Sequence, residues 1–225
     1  MELNADFKSI AIVHAGKEPW VKSPMAGVER RMLDRLGGEV ARATTIVRYA
    51  PGSHFSPHTH TGGEEFLVLE GVFQDEHGDF PIGTYVRNPP ESSHTPGSEP
   101  GCTIFVKLWQ FDPEDRHQLA IEPDEMSYVP HRDEPGISVA QLFADKREVV
   151  SMERWQAGTI INLASPGGLE LLVIDGKVSS FEQDFSNQSW LRLPVGGNAL
   201  IVANTDATVW IKRGHLMEEP SAPSL

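Results

Sequence analysis

Two short stretches hold the groups that could do chemistry. GSHFSPHTHTGGEEFLVLEG, Gly52 to Gly71, sets His54, His58 and His60 within seven residues and follows them with Glu64 and Glu65. RNPPESSHTPG, Arg87 to Gly97, adds His94 behind the Pro89-Pro90 pair. Three neutral imidazoles and one carboxylate form a donor set that suits Zn, Fe, Mn or Ni. Alternate residues of an extended chain share a face, so His58 and His60 present two imidazoles side by side. Pro57 favours extension of Ser56. Thr61-Gly62-Gly63 allows a bend before Glu64 opens the next strand. Strand parity alone leaves Glu65 as a rival to Glu64.

Elements able to position these groups read as strands. TIFVKLW and ALIVAN are short, β-branched or aromatic, and bounded by Gly/Pro turns. GVERRMLDRLGGEVARATTIVRY has helix-like spacing at Met32, Leu33 and Leu36. Its later counterpart, GISVAQLFADKREVVSMERW, reads as strand, tight turn at Asp145-Lys146, and strand. The comparison favours a hairpin turning near Gly37-Gly38. Many short strands with regular turns imply a sandwich or barrel, and a jelly roll covers its edges in this way.

The counterpart belongs to a repeat. EEFLVLEG at Glu64 returns as LELLVIDG at Leu169, TYVRNPPE at Thr84 as SWLRLPVG at Ser189, and CTIFVKLW at Cys102 as ATVWIKRG at Ala207. RYAPGS at Arg48 matches RWQAGT at Arg154. Gly158 minus Gly52 is 106, while Gly176 minus Gly71 and Pro194 minus Pro89 are both 105. The expectation is an all-β chain of two like domains, residues 1–116 and 117–217, joined through the acidic, Pro-marked stretch from Phe111 to Gly136, with a mobile tail at 218–225. Counting from Gly158, the second copy has Ala164 and Pro166 at the histidine positions, Ala199 for His94, and retains Glu170. It has lost the site.

A net charge of −13 argues against a nucleic-acid partner and disfavours an anionic membrane surface. The 225 residues suffice for one large or two small cores. A lone cysteine, Cys102, permits no internal disulfide, and its place at a strand start suits a small buried hydrophobe. No signal peptide and no run long enough to span a membrane is evident, so a cytoplasmic protein is expected. His54 reads as an exposed loop residue; His14, His77, His117, His131 and His215 read as isolated surface residues.

The first half resembles a cupin. That family's first motif is Gly, five residues, His-x-His, three or four residues, Glu, six residues, Gly; Gly52, His58, His60, Glu64 and Gly71 fit each term. Its second motif is met by Gly83, Pro89 and His94, with Glu91 where a glycine and Ser98 where an asparagine are usual. The resemblance implies tandem double-stranded β-helix (jelly-roll) domains and one divalent metal ion per chain, held by His58, His60, Glu64 and His94. The six-residue step to Gly71 selects Glu64 over Glu65. The wording from His58 to Leu108 is similar to the cupin domain of ChrR-type anti-sigma factors, which binds metal through three histidines and a glutamate and takes part in the response to singlet oxygen. This implies zinc and a sensor of oxidation or of a small-molecule ligand in transcription regulation. The zinc motif of that family's sigma-binding domain has no counterpart before the first metal-bearing strands, so a sigma factor is not an expected partner. Metal cupins also include Fe, Mn or Ni dioxygenases of diketones and aromatic ketones, in which Glu64 would act as base. A structural metal is the third reading, and a homodimer the expected assembly.

Overall fold

The computed structural model describes residues 1–38 and 40–223. Apart from a single 3-10 turn at Ala15–Lys17, all regular structure among the described residues is strand. No helix among them is long and apolar enough to cross a membrane. The chain forms two compact units. One comprises Met1–Ala5, Pro19–Glu125 and the last described residues from Ser221; the other comprises Asp6–Glu18 and Met126–Pro220.

In the first unit the main sheet runs, in spatial order, Leu119–Ile121, Tyr85–Asn88, Glu64–Asp75, Cys102–Leu108, Ala41–Tyr49, Val28–Gly37, Val21–Lys22. Val47, Phe66, Val68, Phe73, Val86, Ile104 and Val106 form its core. The ambiguous segment is a hairpin, Val28–Gly37 paired antiparallel with Ala41–Tyr49. Its helix-like spacing has a physical cause. A bulge between Met32 and Asp34 inserts the fully buried Leu33 and breaks the period of two.

The second unit has a main sheet in the order Ala11–His14, Ser189–Leu193, Leu169–Asp175, Ala207–Arg213, Val149–Trp155, Ile137–Ala144, Val129–Pro130. Position by position this matches the first sheet. The bulges match as well. Leu142 is bulged against Val149–Trp155 as Leu33 is in the first unit. Leu69 and Ile174, 105 residues apart, occupy equivalent irregularities in Glu64–Asp75 and Leu169–Asp175. Buried charges recur too, with Glu65, Arg87 and Lys107 answered by Glu170, Arg192 and Lys212, all at most 1% exposed.

The pairing corrects the counting of the repeat. His94 pairs with His58, and Ala199 pairs with Leu163. Glu65 pairs with Arg87, and Glu170 with Arg192. An offset of 106 holds for the strand ending at Tyr49 and Trp155, but one residue is lost before the next strand. The counterparts of His58, His60, Glu64 and His94 are therefore Leu163, Ser165, Leu169 and Ala199, and Glu170 answers Glu65 rather than Glu64. Leu163, Leu169 and Ala199 belong to the second unit's apolar core.

The units also divide differently from a cut at 116/117. Ala11–His14 pairs with Ser189–Leu193 in the second unit, while Leu119–Ile121 pairs with Tyr85–Asn88 in the first. Each covers an edge whose unpaired backbone groups would otherwise face water or another chain.

Candidate metal centre

His58 and His94 lie opposite one another on the paired strands His58–Thr59 and Ser93–His94. The His60 amide donates to Ser92 O (2.9 Å), and the Glu91 amide donates to His60 O (3.0 Å), which ties the two histidine segments together. The bend at Gly62-Gly63 then returns the chain so that Glu64 faces His60. A side chain at Gly62 would collide with the Trp109 ring, 2.1 Å from its Cβ, and Gly63 takes φ +74°. Glycine is required at both.

The three imidazoles converge. Ring centroids are 4.8 Å apart for His58–His60, 5.0 Å for His58–His94 and 4.7 Å for His60–His94. Their candidate ligand atoms lie within 4.8 Å of one another. Glu64 Oε2 is 3.4 Å from His60 Nε2 and 3.7 Å from His94 Nε2. Glu65, the rival carboxylate, points elsewhere and accepts a 2.6 Å hydrogen bond from Tyr85 OH.

Outer contacts orient the rings. His94 Nδ1 donates to Asp75 Oδ2 at 3.0 Å, and His58 Nδ1 to Ser56 O at 3.3 Å, which leaves Nε2 of each as the lone-pair nitrogen. His60 Nε2 is buried with no hydrogen-bond partner; its 3.4 Å approach to Glu64 lacks hydrogen-bond geometry. A buried unpartnered nitrogen is costly, and a cation between the rings would satisfy it. The residues present therefore fit a metal ion.

The electrostatics are those of a dehydrated pocket. Burial, with the neighbouring His94 and His58, drives the His60 pKa down to about 3. Burial raises that of Glu64, against the pull of His94 and His58 and the Asn88 hydrogen bond at 3.4 Å. For His94 burial opposes the charged form, but the Asp75 hydrogen bond and the charges of Glu64, Asp75 and Glu76 outweigh it and the pKa rises. Phe73 packs against His94 at 5.7 Å, so aromatic core closes one side of the cluster while His58 is exposed on the other.

Asp75 and Asn88 escaped the sequence reading. Neither belongs to a motif; only strand register carries Asp75 to His94. Asn88 had one legible signal, its place beside the Pro89-Pro90 turn. His54 is exposed, as expected. His215 is not a surface residue: its side chain is 2% exposed, and Nε2 lies 2.9 Å from Glu170 Oε1. His14 is half-buried against Ser189 and Gln183. Cys102 is a buried thiol, as expected.

Strand order, buried aromatic core and a histidine cluster at one end of the sheet define a β-barrel protein of the jelly-roll class. Residues 8–112 match a family model described as the ChrR cupin-like domain. Solved structures share the fold. A proposed dioxygenase of Nostoc punctiforme PCC 73102 is 11% identical with a TM-score of 0.74, over 97% of this chain and 87% of that one. YlbA of E. coli is 10% identical with a TM-score of 0.68, over 96% and 95%. An oxalate decarboxylase of Lactobacillus farciminis is 10% identical with a TM-score of 0.63, over 96% and 88%. No curated protein sequence matches significantly. Residues 8–112 are thus similar to the ChrR cupin-like domain, and the chain shares its fold with these structures.

Proposed function

We propose that His58, His60, His94 and Glu64 bind one divalent metal ion, zinc in the first instance, and that the centre serves a ChrR-like sensor responding to oxidation or to a small-molecule ligand. The observation that carries the metal is His60 Nε2, buried without a partner beside two other imidazoles and a carboxylate. The match of residues 8–112 supports the sensor reading. When bound, the ion would supply Lewis acidity and link the two histidine segments. Asp75 and Ser56 hold the imidazoles in the tautomer that offers Nε2, and Phe73 excludes water from one side. We also infer that the second unit is a second cupin copy without ligands; the shared strand order, bulges and buried charges support this.

A second reading is an Fe, Mn or Ni dioxygenase acting on a small diketone or aromatic ketone. Glu64 favours it. Its carboxylate is buried, has a raised pKa and lies at the imidazole cluster, so it would accept a substrate proton at Oε2. The test is the metal content of protein purified without added metal, beside a His58→Ala/His60→Ala variant. About one zinc per chain, lost in the variant, is expected. Iron, manganese or nickel would favour the dioxygenase, to be followed by oxygen uptake with diketones. No metal in the parent protein would sink both readings.

A further inference from the structure

The second unit has its own cavity, about 390 Å³, within the ~300–1,000 Å³ range of small-molecule sites. Leu163, the counterpart of His58, lines it. So do Ser151, Glu153 and Arg213. Alternate residues of a strand share a face, so Ser151 and Glu153 lie on the face of Trp155, and Arg213 on that of Val209 and Ile211, all three core residues. The polar trio thus continues the inward, apolar face of the sheet.

The first unit shows what would ordinarily stand there. Glu153 and Arg213 answer Val47 and Leu108, a core residue and one packed against it. Exchanging two apolar positions for a desolvated ion pair brings no stability in itself. The pair is nevertheless built with care. Glu153 Oε1 forms an ion pair with Arg213 Nη1 (2.8 Å) and accepts from Ser151 Oγ (3.2 Å), and Oε2 accepts from Trp155 Nε1 (3.0 Å). Both oxygens of Glu153 are engaged, whereas Arg213 is engaged through one nitrogen. Its protein partners, Glu153 and Ser151 Oγ (3.3 Å), engage Nη1 alone among the described residues, and the side chain lines the cavity. The Arg213 side chain is 34% exposed, against 5% for Glu153. Glu134 lines the same cavity and, among the described residues, its carboxylate has no protein partner. Glu153 fixes the guanidinium, and the free fork matches a carboxylate. Glu134 supplies the opposite requirement, a cation.

We propose that this cavity binds a small zwitterion of amino-acid type, its carboxylate on Arg213 and its ammonium on Glu134. The second unit then contributes ligand recognition where it lacks the metal ligands. The full chain is titrated calorimetrically with each of the common L-amino acids, with propionate and ethylamine as probes carrying one charge each. At least one amino acid binds, propionate and ethylamine do not, and Glu134→Gln weakens binding by roughly tenfold or more. Arg213 alone cannot be removed safely, since Glu153 would be left buried and unpaired. The double variant Glu153→Val/Arg213→Leu, which installs the first unit's residue types, unfolds cooperatively, as a folded protein does, and does not bind. The His58→Ala/His60→Ala variant still binds, which separates this site from amino-acid capture by a metal. The proposal is overturned if no amino acid binds, if propionate binds equally well, if the double variant retains binding, or if the histidine variant loses it.

Discussion

Asp75 reaches His94 across 19 residues of sequence and fixes the ring by one hydrogen bond of 3.0 Å. Its other oxygen accepts from the His77 amide at 2.7 Å, so the carboxylate is itself held. Asp75→Asn keeps the size and the His77 contact but no longer favours a proton on His94 Nδ1. Loss of such a partner typically weakens metal affinity by about 10–100-fold, and chelator competition measures it; an unchanged affinity would show that the ring needs no such support. Cys102 bears on the sensor reading in the opposite sense. Burial, against a weaker Ser98 hydrogen bond, pushes its pKa to about 11 from 9.0. A thiol raised by two units has roughly a hundredfold less thiolate at pH 8, and thiolate is the species oxidised or alkylated. Iodoacetamide at pH 8 should leave native Cys102 unmodified and label it in denaturant, with the native rate rising as pH climbs toward 11. Rapid labelling of the native protein would reopen a thiol-based response. Slow labelling directs any oxidation sensing to the histidine cluster.

At the scale of elements, the site depends on a few backbone positions that hold strands in register. Gly71 ends the straight part of Glu64–Asp75 at φ +69°, and a Cβ there would stand 2.0 Å from Gly101 O. The left-handed backbone alone costs on the order of 1–3 kcal/mol for a side chain, and the clash with backbone adds to it. Gly71→Ala should therefore lower stability by more than about 2 kcal/mol in urea unfolding; a loss under 0.5 would mean that the strand slides freely. Gly176 is held likewise, its Cβ position 2.2 Å from Asp206 O, and the same glycines had marked the repeat in the sequence. Legibility followed this physics. The strands, the hairpin, the repeat and the three histidines could be read because motif glycines and prolines mark places where only those residues fit. The single-residue change of offset between Gly158 and Leu163 could not, since it falls in a turn without a landmark, and so Glu170 was set against Glu64. Asp75 was invisible because its contact arises from pairing, not spacing. Glu91 stands at φ +74° where the family motif has glycine, so the turn keeps its left-handed shape without the residue that would advertise it.

For the whole molecule, the first residues of the chain complete a sheet made almost entirely from its last hundred. Ala11–His14 pairs residue for residue with Arg192 to Ser189. Arg192, fully buried, donates to Asp6 O at 3.1 Å, and its guanidinium stacks on Phe7 at 3.9 Å. His14 adds Ser189 at 3.0 Å and Gln183 at 3.1 Å. Such pairings span most of the chain, so they form late and close a large loop. Removing Met1–Glu18 should leave Ser189–Leu193 as an open edge and strand a buried guanidinium without its N-terminal partners. It also removes Leu3 and Asn4, which contact Arg35 and Leu33 in the first unit, so a global Tm cannot distinguish the two effects. Hydrogen exchange can. Protection should collapse through Ser189–Leu193 and Leu169–Asp175, while Tyr85–Asn88, covered by Leu119–Ile121, keeps most of its own. A peptide of residues Asp6–Glu18, added in trans, should restore protection to the second unit. Protection that survives the truncation in Ser189–Leu193 and Leu169–Asp175 would show that the N-terminal strand is decoration on a sheet stable without it.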